Sequence, residues 1–151
     1  MAGAGAAAAL TGLLFVAISI NLQRIIEFPS LPRRALCTLS ILVALLVAAL
    51  FGLAPGQSTV VLGIEVGAVG LIIATQTIVL ARRSPRAPDE PRFSRPLQVS
   101  LLLAPGLALA IGGLSVATTT GGGLYWIMAA FALGFVGATV NAWVFLVEVQ
   151  R

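Results

Sequence analysis

The chain has 151 residues, of which 59% are hydrophobic and 9% charged, with a mean hydropathy of +1.07 and a formal charge of +4. A soluble domain carries about 25% charged residues, so this composition cannot dress a water-facing surface and excludes an ordinary soluble fold. A pI near 11.1 would indicate nucleic-acid binding in a soluble protein, but the arginines here flank apolar runs, so topology and lipid headgroups account for them and no nucleic-acid partner is expected.

About 20 residues of helix cross a bilayer core. Five stretches have roughly that length, at 6–26, 35–53, 59–81, 97–117 and 124–147. None alternates as a barrel strand must, so the expected fold is all-α: a single transmembrane helical domain, 1–151, with five spans.

The first span is followed, not preceded, by its arginine, Arg24, so it reads as a retained span rather than a cleaved signal. Gly5, Ala9, Gly12, Val16, Ser19 and Gln23 recur along it at helical spacing. The junction to span two holds Arg24, Glu27, Arg33 and Arg34. Cys37, the lone cysteine, forms no intrachain disulfide and reads as a small buried hydrophobe. The junction after span two, 54–58, is uncharged.

Span three carries Gly63, Gly67, Gly70 and Ala74 at offsets 0, 4, 7 and 11, a single helix face. Small residues allow the close backbone approach on which membrane helices rely for packing. Glu65 and Gln76 lie on the opposite side. A carboxylate about six residues inside a span costs several kcal/mol unless it is protonated, paired or wetted, and no arginine matches its depth. Both faces are poor surfaces for lipid, so this helix is expected at the centre of the bundle or at a subunit interface.

The segment 82–96 holds Arg82, Arg83, Arg86, Arg92 and Arg95 with four prolines, which reads as a cytoplasmic, helix-free connector lying against anionic lipid together with Arg33 and Arg34. Span four contains Ala104-Pro105-Gly106 and is expected to kink at Pro105; two short re-entrant helices are the other reading. The next junction, 118–123, is again uncharged. Span five opens with Tyr125 and Trp126, suited to an interface, and repeats the small-residue offsets at Ala130, Gly134, Gly137 and Asn141. Arginine thus marks every second junction, which sets the amino terminus outside and the carboxyl terminus in the cytoplasm.

The polar residues Ser19, Asn21, Gln23, Thr38, Ser40, Thr75, Gln76, Thr77 and Asn141 gather toward the cytoplasmic side, as interhelical glue or as the lining of a hydrated vestibule. The chain has no histidine and no lysine, and its five acids form no membrane-embedded pair. Triads, zinc sites, dithiol chemistry and phosphate loops are all missing, so no catalytic residue, cofactor or metal is expected.

The run 12–22, the segment 29–35, Pro55-Gly56-Gln57 and the ending 141–148 resemble small uncharacterised bacterial multi-span membrane proteins of high-GC genomes. That resemblance implies a bacterial inner-membrane location and carries no established activity. The expected function is a non-enzymatic membrane component that self-associates, or serves a larger membrane complex as an accessory or scaffold subunit, through the seams of spans three and five. The alternative is a small oligomeric channel or proton- or cation-coupled transporter whose path is lined by Glu65, Gln76 and Asn141.

Overall fold

The computed structural model describes residues 1–27, 31–83 and 94–149. Six helices follow one another: α1 (Ala2–Ile20), α2 (Leu22–Glu27), α3 (Leu31–Phe51), α4 (Thr59–Arg83), α5 (Ser94–Ala117) and α6 (Gly123–Val149). There is no strand among the described residues. Five of the helices, all but α2, are long and apolar enough to cross a membrane, and this makes the chain a multi-pass membrane protein. Large apolar side chains cover its outside, among them Leu13, Phe15, Ile20, Ile64, Leu114, Val136 and Trp143. Such a surface is stable only against hydrocarbon.

Helix ends depart from the apolar boundaries for local reasons. The first span is broken at Asn21 rather than running on to residue 26. The Asn21 side-chain amide donates to the Ala17 carbonyl at 2.9 Å, the same oxygen that its backbone N–H meets at 3.3 Å. A short polar side chain competing for the helix's own acceptor loosens the turn, and Leu22–Glu27 restarts as a separate short helix. Helix α3 begins at Leu31 rather than at residue 35 because Pro32 falls in the first turn, where its missing N–H would have no partner anyway. Helix α4 runs on to Arg83 and α5 begins at Ser94, so the helix-free connector expected over 82–96 narrows at both ends. Of the residues between, 84–93 lie outside the described structure.

Pro105 sits inside a single unbroken helix, Ser94–Ala117. The segment is one helix, not the two short ones of the re-entrant reading. Pro105 itself is fully buried.

The centre of the bundle is α3, so of the two places expected for the span-three helix, the centre or a subunit interface, the first is taken by another helix. Nine residues of α3 are buried, from Leu31 to Ala48, and the helix packs on α1, α4, α5 and α6. The core divides into a larger cluster around Leu45, Ile41, Val66 and Leu109 and a smaller one around Leu14, Leu31, Leu42 and Ala138. Helix α1 is peripheral: only Ala7 and Leu14 in it are buried.

The connections are tight. Ser58 caps α4, its hydroxyl accepting from the Val61 N–H at 3.3 Å. Helix α5 ends in a Schellman motif, with the Thr120 N–H on the Ser115 carbonyl (3.1 Å) and the Thr119 N–H on the Val116 carbonyl (3.2 Å). Thr119 occupies the left-handed position of that motif, at φ 54°, where glycine is the usual residue.

Candidate functional site

Two features stand out from the apolar bundle: the faces of small residues and the few polar side chains at membrane depth.

The face Gly63, Gly67, Gly70, Ala74 lies directly on α5. A Cβ added at Gly63 would stand 2.4 Å from the Ala117 backbone nitrogen, and one at Gly70 2.4 Å from that of Ala110. From the other side, a Cβ at Gly113 would be 2.2 Å from the Gly67 nitrogen and one at Gly106 3.0 Å from the Ala74 nitrogen. The two backbones therefore touch along an antiparallel seam that pairs Gly63 with Ala117, Gly67 with Gly113, Gly70 with Ala110 and Ala74 with Gly106. The α5 partners Gly106, Ala110, Gly113 and Ala117 share the offsets 0, 4, 7 and 11 of α4. Sequence reasoning passed over them because Pro105-Gly106 drew attention as a bend; the identical spacing was the available signal.

The α6 face is also occupied from within. Ala130 is fully buried, a Cβ at Gly134 would meet Leu45 Cδ1 at 2.5 Å, and one at Gly137 would be 3.7 Å from the Leu101 carbonyl oxygen. That oxygen is the acceptor that Pro105, lacking an N–H, leaves without its helical donor. Asn141, on the same face, is buried and donates to Thr38 Oγ1 at 3.2 Å, while Thr38 donates to the Arg34 carbonyl at 2.9 Å.

The stripe on α1 is different. Gly5 and Gly12 have nothing within 4 Å of an added Cβ. Ala9 and Ser19 on the same face are exposed, Val16 is 53% exposed, and Gln23 lies beyond the break at Asn21, exposed on α2. Of the three small-residue faces noted in the sequence, this one alone has no partner among the described residues.

The polar candidates do not converge. The Glu65 carboxylate accepts a hydrogen bond from the Gln57 side-chain amide, which folds back from the α3–α4 turn. Gln76 lies eleven residues further along α4, about 16 Å away at 1.5 Å per residue, and donates to Ser40 Oγ at 3.0 Å. Asn141 reaches Thr38. Thr38 and Ser40 are two residues apart on α3, which places them on roughly opposite sides of that helix. Each polar group thus belongs to a separate helix pair: a turn to α4, α4 to α3, and α6 to α3. Thr75 and Ser19 return to their own helices, donating to the Leu71 and Phe15 carbonyls.

Of the arginines, Arg33 donates to the Arg83 carbonyl at 2.6 Å. It thereby ties the start of α3 to the end of α4, where a cation meets the negative pole of the helix. Arg82 and Arg83 lie exposed in the last turn of α4 and Arg34 is half-buried in α3. Arg95 falls in the first turn of α5, and Arg86 and Arg92 lie outside the described residues. A cleft of about 250 Å³ between α1, α3 and α6 has a mainly apolar lining that includes Leu10, Leu14, Leu42 and Ala138, with Asn21 and Thr139 as its polar members.

The chain matches no family model, no curated protein and no solved structure.

Proposed function

We propose that the protein is a non-enzymatic component of a bacterial inner membrane that self-associates through the outward face of α1. The amino terminus is placed outside and the carboxyl terminus in the cytoplasm, with the Arg33, Arg34, Arg82 and Arg83 end against the anionic leaflet. The observation that carries the reading is the contrast between seams. Those of α4 and α6 are spent on packing within the chain, whereas Gly5, Ala9 and Gly12 present a groove that nothing among the described residues fills. A second copy, related by an axis along the membrane normal, would lay the same stripe against itself. Ser19 would then meet its counterpart, and a hydrogen bond between membrane helices is worth about 0.6–2 kcal/mol.

The conduit reading gains no comparable support, because Glu65, Gln76 and Asn141 are engaged in three separate contacts rather than along one line.

Subunit counting by single-molecule photobleaching in liposomes tests the proposal. Wild-type protein is expected as dimers or larger assemblies, and a Gly5→Leu, Gly12→Leu double variant as monomers with unchanged helix content. A variant that keeps the wild-type subunit number removes α1 as the joining face.

A further inference from the structure

Helices α1 and α6 run side by side, close at one end and apart at the other. Where α1 begins, a Cβ added at Gly3 would stand 3.0 Å from the Phe131 ring, and Ala7 and Ala130 are fully buried in one core cluster. Further along, α1 rests on α3 through Leu14 and Leu42, and the walls that face each other across Leu42 carry alanines: Ala17 on α1, Ala138 and Ala142 on α6. Methyl groups reach too little way across to close the gap, so the cleft opens there. A gap of this kind forfeits packing unless hydrocarbon enters it.

The length of the cleft and the chemistry of its end are the informative features. Asn21 and Leu10, both in its lining, are eleven residues apart, about 16 Å along a helix. Half of a bilayer's hydrocarbon core is about 15 Å. The cleft therefore has the reach of one acyl chain, from the middle of the bundle to one end. Asn21 makes that end polar. Its amide donates one N–H to the Ala17 carbonyl at 2.9 Å, and an amide has a second N–H and an acceptor oxygen besides.

This is also the charged end of the molecule, where all nine arginines and four of the five acids fall. Arg24 follows Asn21 by three residues, on α2. Arg34 is half-buried on α3, one turn before Thr38, which bonds Asn141 of α6. It therefore belongs to the α6 side of α3, about 12 Å from Leu42 toward the Asn21 end. Glu27 and Glu148 are the acids of the helices around the cleft, against Arg24, Arg33 and Arg34.

We infer that the cleft is a binding site for one anionic phospholipid. An acyl chain lies between Leu14 and Ala138 over Leu42, the glycerol ester meets Asn21, and the phosphate meets the positive end formed by α2 and the start of α3. The groove alone would take any chain; the arginines select an anionic headgroup over a zwitterionic one. The inference deepens the placing of the arginine end against an anionic leaflet. The cleft lies about 140° around α1 from the stripe of Gly5, Ala9 and Gly12, so it fills whether or not two copies meet there.

The test uses two lipids with the same chains, dioleoyl phosphatidylglycerol and dioleoyl phosphatidylcholine. Each is titrated into delipidated protein in detergent, and bound lipid is counted by native mass spectrometry. No membrane orientation enters this measurement, so its failure leaves the topology and self-association through α1 standing. Phosphatidylglycerol is expected to saturate at one per protomer and to bind about tenfold tighter than phosphatidylcholine or more. An Arg24→Gln, Arg34→Gln double variant is expected to bring the two lipids level. Filling the cleft with Ala17→Phe and Ala142→Phe should abolish retention of either, whereas Val43→Phe, at an exposed position of α3 beside α4, should leave both unchanged. Equal affinity of the wild-type protein for the two lipids, uptake that does not saturate, or wild-type binding by the filled variant each overturns the site. Should the filled variant fail to fold, a phosphatidylglycerol with a diazirine at its chain end decides: crosslinks at 10–18 of α1 and 138–142 of α6 support the site, and crosslinks confined to other helices overturn it.

Discussion

Thr119 is the residue at which the local backbone and its side chain disagree most plainly. It is a β-branched residue at φ 54°, a conformation that costs an L-residue about 1–2 kcal/mol. The Schellman bonds around it hold it there, and its hydroxyl does no more than reach the Thr118 carbonyl at 2.7 Å. Replacing it by glycine relieves the strain but adds about 0.5–1 kcal/mol of unfolded-chain entropy. Thr119→Gly is therefore expected to stabilise the protein by about 0.5–1 kcal/mol, read as a higher midpoint when detergent-solubilised protein is titrated with sodium dodecyl sulfate. The three-glycine run that follows it, residues 121–123, was visible in the sequence as a turn. That the left-handed position falls on Thr119 was not, because propensity alone would have given it to Gly121.

At the scale of the helix, the seam between α4 and α5 makes unequal demands on its members. A methyl at Gly67 would find neighbours at 3.7–3.8 Å, ordinary contact, whereas one at Gly113 would lie 2.2–2.5 Å from the Gly67 and Gly63 backbones. Backbone cannot rotate away as a side chain can. Gly113→Ala is expected to cost at least the 1–3 kcal/mol typical of overpacking (an approximate range), and Gly67→Ala to stay within about 0.5 kcal/mol of wild type. Thermal or detergent unfolding of the two variants side by side measures the difference; equal effects would mean the helices are not in backbone contact.

The α4 half of this seam was legible because four small residues at offsets 0, 4, 7 and 11 define one helix face whatever surrounds it. Its partner could not be named from the sequence. Similar faces lie on α1 and α6 as well, and which pair meets depends on the order of helices around α3. The break at Asn21 was hidden for another reason: hydropathy carries on through Leu22, Ile25 and Ile26, while the interruption comes from a single side-chain amide. The candidate path illustrates the limit of helical-wheel reasoning. Glu65 and Gln76 share a side of α4, yet the contacts they make are set by elements far away in sequence, Gln57 and Ser40.

For the molecule as a whole, the number of crossings and the distribution of arginine act together. Five crossings would put the two chain termini on opposite sides of a membrane, and the proposed orientation is the one that the positive-inside preference favours. A cysteine placed at Ala2 is expected to react with a membrane-impermeant maleimide added outside intact cells, and one placed at Gln150 only after the cells are opened, both with Cys37 replaced by Ala. Reaction of both from the same side would set aside the topology and with it the assignment of Arg33, Arg34, Arg82 and Arg83 to the cytoplasmic leaflet. That the chain folds into five long apolar helices was readable from composition and from the lengths of its apolar stretches. Which helix holds the centre was not, because α3 has no unusual residue to announce it: its buried Leu42, Leu45 and Ile41 resemble the exposed leucines and isoleucines elsewhere in the chain.

The meeting of α4 and α5 has a practical corollary. Two helices that recognise each other through matched notches need no covalent link to find their register. A gene cut between codons 88 and 89, with both pieces expressed in the same cell, should yield halves that co-purify and reconstitute the intact fold; a Gly113→Leu change in the second piece should abolish the recovery.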